Sequence, residues 1–242
     1  VVSGISYLSY LLKRYVFHES GTLVSGIIGG LYSSTATISV LARKSRKASE
    51  QEATDYVAAM LLAVSMMFLR FMILILIFSR EIFLSIYPYL LTMAVVAAIV
   101  AWFIHSRQKR PEDQPAETEE DDSSNPLEFK VALIFAVLFV IFTFLTHYTL
   151  VYAGTGGLNL LSFVSGFSDI TPFILNLLQN TGSVAALIIT ACSMQAIISN
   201  IMVNMFYALF FAGKGSKLRP WILGGFGVVI ACNLVLLLFF YI

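Results

Sequence analysis

Asp169 is the one carboxylate well inside any long apolar stretch of this chain, and Arg70 is the one basic residue so placed. An Asp or Arg at the centre of a bilayer costs about 2.5–3.5 kcal/mol on insertion scales, so each must face a polar interior or a partner. Two chemistries follow. Asp169 and Arg70 pair with one another, or Asp169 binds a cation or carries a proton while Arg70 serves as counter-charge or gate. The neighbours of Asp169 bear on the second. Gly166 lies three residues before it and Pro172 three after, and proline removes a backbone donor. A glycine and a proline around an acid point to a broken helix, tolerated at membrane depth only where protein or water surrounds it. Freed carbonyls, the carboxylate and the Ser168 and Thr171 hydroxyls form an oxygen-ligand set suited to a hard cation.

A second polar cluster is Ser33, Ser34, Thr35 and Thr37, preceded by Gly26, Gly29 and Gly30. Small residues let helices approach closely, and G-x-x-x-G spacing (Gly26, Gly30) is the usual form. Close packing accounts for most of this cluster; a hydroxyl-lined site opposite Asp169 is the alternative. Asn200 and Asn204 lie one turn apart on one helix face, near Gln195, and either line a polar path or join two helices. His147 falls near the end of an apolar stretch, as an interfacial residue, with a proton relay as the alternative.

These residues sit in helices that the composition requires to be in a membrane. The chain has 242 residues, of which 58% are hydrophobic and 12% charged, with mean hydropathy +0.85. Soluble domains carry about twice that charge. A span needs about 20 apolar residues, which gives about eight candidates: 1–17, 22–42, 56–78, 82–104, 129–152, 158–178, 184–212 and 221–242. Only Ser79, Arg80 and Glu81 separate the third from the fourth, which carries Pro88. Between the fourth and fifth runs a segment with Pro111, Pro115 and the acids Glu119 to Asp122, too charged to fold alone. The expected fold is an all-α polytopic transmembrane bundle in two related four-span halves, 1–105 and 129–242, joined by a flexible linker over 106–128.

The relation between the halves rests on two matches. The run Gly29 to Thr37 resembles Ser165 to Phe173, and the paired alanines Ala58-Ala59 resemble Ala185-Ala186, with Arg70 and Asn200 following. Four spans per half would give the copies one orientation. The loop with Arg43, Lys44, Arg46 and Lys47 and the linker with Arg107, Lys109 and Arg110 then fall on one side. Lys13, Arg14, Arg80, Lys214, Lys217 and Arg219 fall on the other. The positive-inside rule tips the first side to the cytoplasm by a small margin.

No catalytic motif is present, so an enzyme is not expected, nor is a cofactor. The three histidines lie apart near span ends, and Cys192 and Cys232 have no redox or metal spacing. A net charge of +1 offers no field for nucleic acid.

At Gly29-Gly30-Leu31-Tyr32-Ser33-Ser34-Thr35-Ala36-Thr37, with Leu41-Ala42-Arg43, the sequence resembles the membrane domain of unknown function that commonly follows an MgtC/SapB-type domain in bacterial membrane proteins. Further matching stretches are Ser6-Tyr7 with Arg14, Met66 to Arg70, Asn125-Pro126 with Lys130, Gly166 to Asp169, and Ser199-Asn200; Asn204 departs, standing where a lysine is expected. The resemblance implies a multi-pass protein of the bacterial inner membrane, an MgtC-like N-terminal portion absent from this chain, and a link to magnesium or ion homeostasis. MgtC-like proteins also regulate other membrane proteins. The reading is therefore a transporter or channel-like protein for an ion or small solute. The expected binding residues are Asp169, Ser33, Ser34, Thr35, Thr171, Asn200 and Arg70, with Gly29, Gly30, Gly166 and Pro172 shaping the break. The alternative is a non-transporting regulatory module. The bilayer and a small solute are the expected partners, and homodimerisation is left open.

Overall fold

A computed structural model describes residues 21–46, 48, 53–107, 129–179, 185–213, 216 and 218–241. The expected first span and most of the charged linker lie outside the described residues. Those described form seven helices: α1 (Thr22–Lys44), α2 (Ala53–Phe78), α3 (Arg80–Ser106), α4 (Phe129–Ser165), α5 (Ile170–Gln179), α6 (Ala186–Ala212) and α7 (Arg219–Tyr241). Five of them, α1, α2, α3, α6 and α7, are long and apolar enough to cross a membrane. Phe68, Phe71, Phe173 and Phe226 are fully buried among them, while Trp102, Phe144, Phe206 and Phe239 are exposed on the outer surface. Large apolar residues outside as well as inside are what a lipid-facing bundle shows.

The α2–α3 pair is a tight antiparallel hairpin, as its three-residue connection requires. Ser79 caps α3 by accepting from the Ile82 amide at 3.3 Å. The Ser65 hydroxyl crosses to the Ala94 carbonyl at 2.8 Å. At the open end of the pair, Asp55 in the first turn of α2 meets His105 in the last turn of α3, Nδ1 to Oδ1 at 2.6 Å. The Asp55 carboxylate suits the helix N-terminus that it occupies. Pro88 lies inside α3, and α3 continues through it.

The helices are interrupted at three places, two of them expected: the gap between the fifth and sixth spans, and the break between Gly166 and Pro172. α4 is interrupted at Gly154 (φ 57, ψ −147), a conformation that costs glycine little. The sixth expected span is two short helices, since residues 166–169 separate the end of α4 from α5. Each piece, Gly156–Ser165 and Ile170–Gln179, has ten residues, about 15 Å, or half a bilayer core. α1 is broken at Ser33 (φ −156, ψ 107). The bend is sharp: a Cβ on Gly29 would lie 2.8 Å from Cγ2 of Thr37, whereas a straight helix holds residues eight apart about 12 Å from one another. α1 therefore doubles back.

Directions follow from the contacts. Gly26 lies against Ala59, and Gly30 against Ala63, so the first half of α1 runs alongside α2 in the same sense. Its second half returns, and Arg46 just beyond it donates to the Phe210 carbonyl at 3.2 Å, near Gly213 at the end of α6. Gly225, early in α7, faces Leu61 and Ile104, and Asn233 pairs with Tyr89. The ends of α1, α3 and α6 and the starts of α2 and α7 thus share one end of the bundle. α2 and α6 run in opposite directions. This corrects two expectations. Helices equivalent in the two halves do not share an orientation, and Arg219 lies at the same end as Arg43, Lys44 and Arg46. The physical reason is the break at residues 166–169: the two ten-residue pieces on either side of it replace one expected crossing, and an element that doubles back does not change sides, so α6 and α7 reverse relative to α2 and α3. Lys214 and Lys217 lie outside the described residues.

Candidate functional site

The two breaks meet at Arg70. When a helix breaks, carbonyls before the break lose their amide partners and amides after it lose their carbonyls. At Ser33 the side chain supplies one replacement, its Oγ accepting from the Ala36 amide at 3.3 Å. That leaves the Tyr32 carbonyl without its helical partner, and Arg70 Nη1 donates to it at 2.8 Å. The other break has the same form. Asp169 precedes α5 and caps it, Oδ1 accepting from the Thr171 amide at 2.9 Å, in the manner of Asp, Asn and Ser at helix starts. Pro172 sits in the first turn of α5, where its missing N–H is no loss. In a continuous helix its ring would strike the carbonyl of Ser168, so the helix stops there. The Asn200 amide nitrogen takes the stranded carbonyls, Gly166 at 3.1 Å and Ser168 at 3.5 Å. Its Oδ1 accepts from Asn204 at 3.2 Å.

Thr171 joins the two breaks. Its backbone holds Asp169, and its hydroxyl accepts from Arg70 Nη2 at 3.3 Å. Arg70 and Asp169 interact electrostatically, yet no ion pair between them appears among the described residues, where His105 with Asp55 is the pair found. The direct Asp169–Arg70 pair, one of the two arrangements the sequence allows, is not formed among the described residues, and a shared threonine links the two instead. Asp169 is exposed rather than enclosed, and Arg70 is partly buried with its Nε buried and without an acceptor. The guanidinium also lies over the Phe71 ring at 5.3 Å.

Of the other expected site residues, Ser34, Thr171 and Asn200 are buried and Thr35 is half-buried, its carbonyl accepting from Ser39 Oγ at 2.8 Å. Gly29 and Gly30 serve the bend and the packing respectively. Gly166 sits against Ser199 and the Asn200 backbone. His147 is exposed on α4. No group of His, Cys, Asp or Glu suited to a metal ion occurs among the described residues. A groove of about 270 Å³ between α3, α6 and α7, lined in part by Ser85, Thr92 and Met194, lies away from this junction. Its Ser85 and Thr92 hydroxyls are spent on carbonyls of their own helix.

Sequence reading placed the break at Gly166–Pro172 and missed the one at Ser33. The missing signal lies in the match of Gly29–Thr37 with Ser165–Phe173, which sets Ser33 opposite Asp169, both capping types. One constant offset in residue number relates Gly26, Gly30, Ser33, Ala59 and Ala63 to Ser162, Gly166, Asp169, Gln195 and Ser199. The contacts repeat in that register: Gly26 on Ala59 answers to Ser162 bonded to Gln195 at 2.7 Å, and Gly30 on Ala63 to Gly166 on Ser199. The paired alanines Ala58-Ala59 and Ala185-Ala186 are out of this register, as are Arg70 and Asn200. Those two nevertheless reach equivalent carbonyls, Tyr32 and Ser168.

Comparison with known proteins gives a family and a relative, neither of which is described by an activity. The family model described as a domain of unknown function (DUF4010) matches residues 1–212. An uncharacterized protein from Aquifex aeolicus (strain VF5) is 24% identical over 227 residues, covering 91% of this chain and 96% of that protein. No solved structure matches the chain.

Proposed function

The chain belongs to the DUF4010 family, and from that premise, which assigns no reaction, we propose that it is a transporter or channel-like protein for an ion or small solute. The observation that supports this best is the meeting of two broken helices at one charged junction. α1 and the Gly156–Gln179 segment act as re-entrant hairpins, entering from opposite faces of the bundle with their tips at Ser33 and Asp169. Each is followed by two spans, α2–α3 or α6–α7, so the related units are inverted copies. Inverted repeats with interrupted helices at the midplane are a recurrent transporter plan, with the solute between the half-helix ends. The binding residues in this reading are Arg70, Asp169, Thr171, Ser33, Ser34, Thr35 and Asn200. The bacterial inner membrane as its location, and a link to magnesium or ion homeostasis through an MgtC-like portion, belong to the same proposal and rest on the resemblance alone.

Asp169→Asn separates charge from structure, because Asn caps a helix as well as Asp. Wild type and variant are reconstituted into vesicles and flux is followed for a panel of inorganic ions and small metabolites. Wild type is expected to move at least one of them, and the variant to lose most of that flux at an unchanged melting temperature. Equal flux in the variant overturns the site. A wild type that moves nothing and copurifies with a stoichiometric protein partner favours a regulatory module instead.

A further inference from the structure

We infer that the solute is a small oxyanion, bound by the Nε–Nη2 edge of Arg70; this rests on the reading that the hairpin junction is the transport site. Arg70 lies eight residues from the end of α2, about 12 Å inside the bundle. Among the described residues its guanidinium donates only to neutral acceptors, the Tyr32 carbonyl and the Thr171 hydroxyl. Asp169 is within electrostatic reach, but its Oδ1 is committed to the Thr171 amide and no ion pair to Arg70 forms among the described residues. A cation in such a place without a contact counter-ion is costly.

The edge that lacks satisfaction is specific. Nη1 has a good acceptor at 2.8 Å. Nη2 has a long contact at 3.3 Å, and Nε, buried beside it, has none among the described residues. Nε–H and Nη2–H point the same way, as the two parallel donors with which arginine grips a carboxylate or phosphate. Lysine cannot reproduce that fork. The helix half that begins after Ser33 adds a positive terminus capped by a neutral hydroxyl, where a negative group is welcome. The α5 terminus already holds Asp169. The oxyanion thus completes the junction's donors and supplies the missing counter-charge.

The test is thermal unfolding of detergent-purified full-length protein at constant ionic strength, titrated with sodium phosphate, sodium sulfate or sodium succinate, against sodium chloride and magnesium chloride. Sulfate and phosphate also stabilise proteins non-specifically without saturating, so the readout is a saturable shift. One of the three oxyanions is expected to give it, with apparent affinity at least tenfold weaker in Arg70→Lys; phosphate and succinate separate the phosphoryl from the carboxylate class. No saturable shift from any oxyanion in wild type overturns the inference, whether or not Arg70→Lys folds. A saturable shift from magnesium or sodium that Asp169→Asn abolishes overturns the anion while keeping the junction as the site. An oxyanion shift unchanged in Arg70→Lys overturns both.

Discussion

At the scale of single residues, glycine carries two different burdens here. Gly166 has Ser199 and the Asn200 backbone where a Cβ would stand, and Gly30 has the Ala63 backbone. Backbone cannot move aside as a flexible side chain can, so added volume must open the helix pair, which typically costs 1–3 kcal/mol. Gly227 on α7 has open space at the same position. There alanine gains helix propensity worth about 1 kcal/mol in water. Gly166→Ala is therefore expected to lower the melting temperature in detergent clearly and Gly227→Ala to leave it unchanged or raised. Equal behaviour of the two would show that the close approach of α4 to α6 is not what holds the second hairpin.

Arg70 was conspicuous in the sequence as a lone intramembrane cation, and its partners were not. Its acceptor on α1 is a main-chain carbonyl, which no residue type announces. Thr171 was visible as a ligand candidate through its place beside Asp169. Its actual work, linking the two breaks by hydroxyl and amide, depends on where α2 passes.

At the scale of elements, each hairpin depends on a cap at its tip. Removing a capping side chain costs about 0.5–2 kcal/mol, while exchange among Ser, Asp and Asn costs little. Ser33→Ala and Asp169→Ala are expected to reduce melting temperature, and Asp169→Asn to keep it. Equal loss in Asp169→Ala and Asp169→Asn would mean that charge, not the cap, holds the α5 start. The apolar stretches of α2, α3, α6 and α7 were legible to within a few residues, because a lipid-facing helix must be apolar along its length. The break before α5 was legible from Gly166 and Pro172. The break in α1 was not, because Gly, Ser and Thr suit close packing as well as a bend, and no proline disambiguates them. The broken sixth segment was still counted as a crossing, and that one count reversed the inferred direction of α6 and α7 relative to α2 and α3.

At the scale of the whole molecule, the corrected directions sharpen the charge distribution. Arg43, Lys44, Arg46, Arg107 and Arg219 gather at one end, against Arg80 at the other among the described residues. On the proposed membrane arrangement, the positive-inside rule predicts a cytoplasmic basic end, with a wider margin than the eight-span arrangement allowed. Two of the basic groups also brace that end. Arg43 lies over the Phe211 ring at 4.3 Å, and Arg46 satisfies a terminal carbonyl of α6.

The central claim is that two helical hairpins dip from opposite faces without crossing. Single cysteines at Gly21, Arg46, Gly156 and Gln179, all exposed at the hairpin ends, test it most directly on a background with Cys192 and Cys232 replaced by serine. A membrane-impermeant maleimide is applied to right-side-out and inverted vesicles. Gly21→Cys and Arg46→Cys are expected to label together from the cytoplasmic face, and Gly156→Cys and Gln179→Cys together from the opposite face. Labelling of Gly21→Cys and Arg46→Cys from opposite faces would make α1 a span and contradict the account.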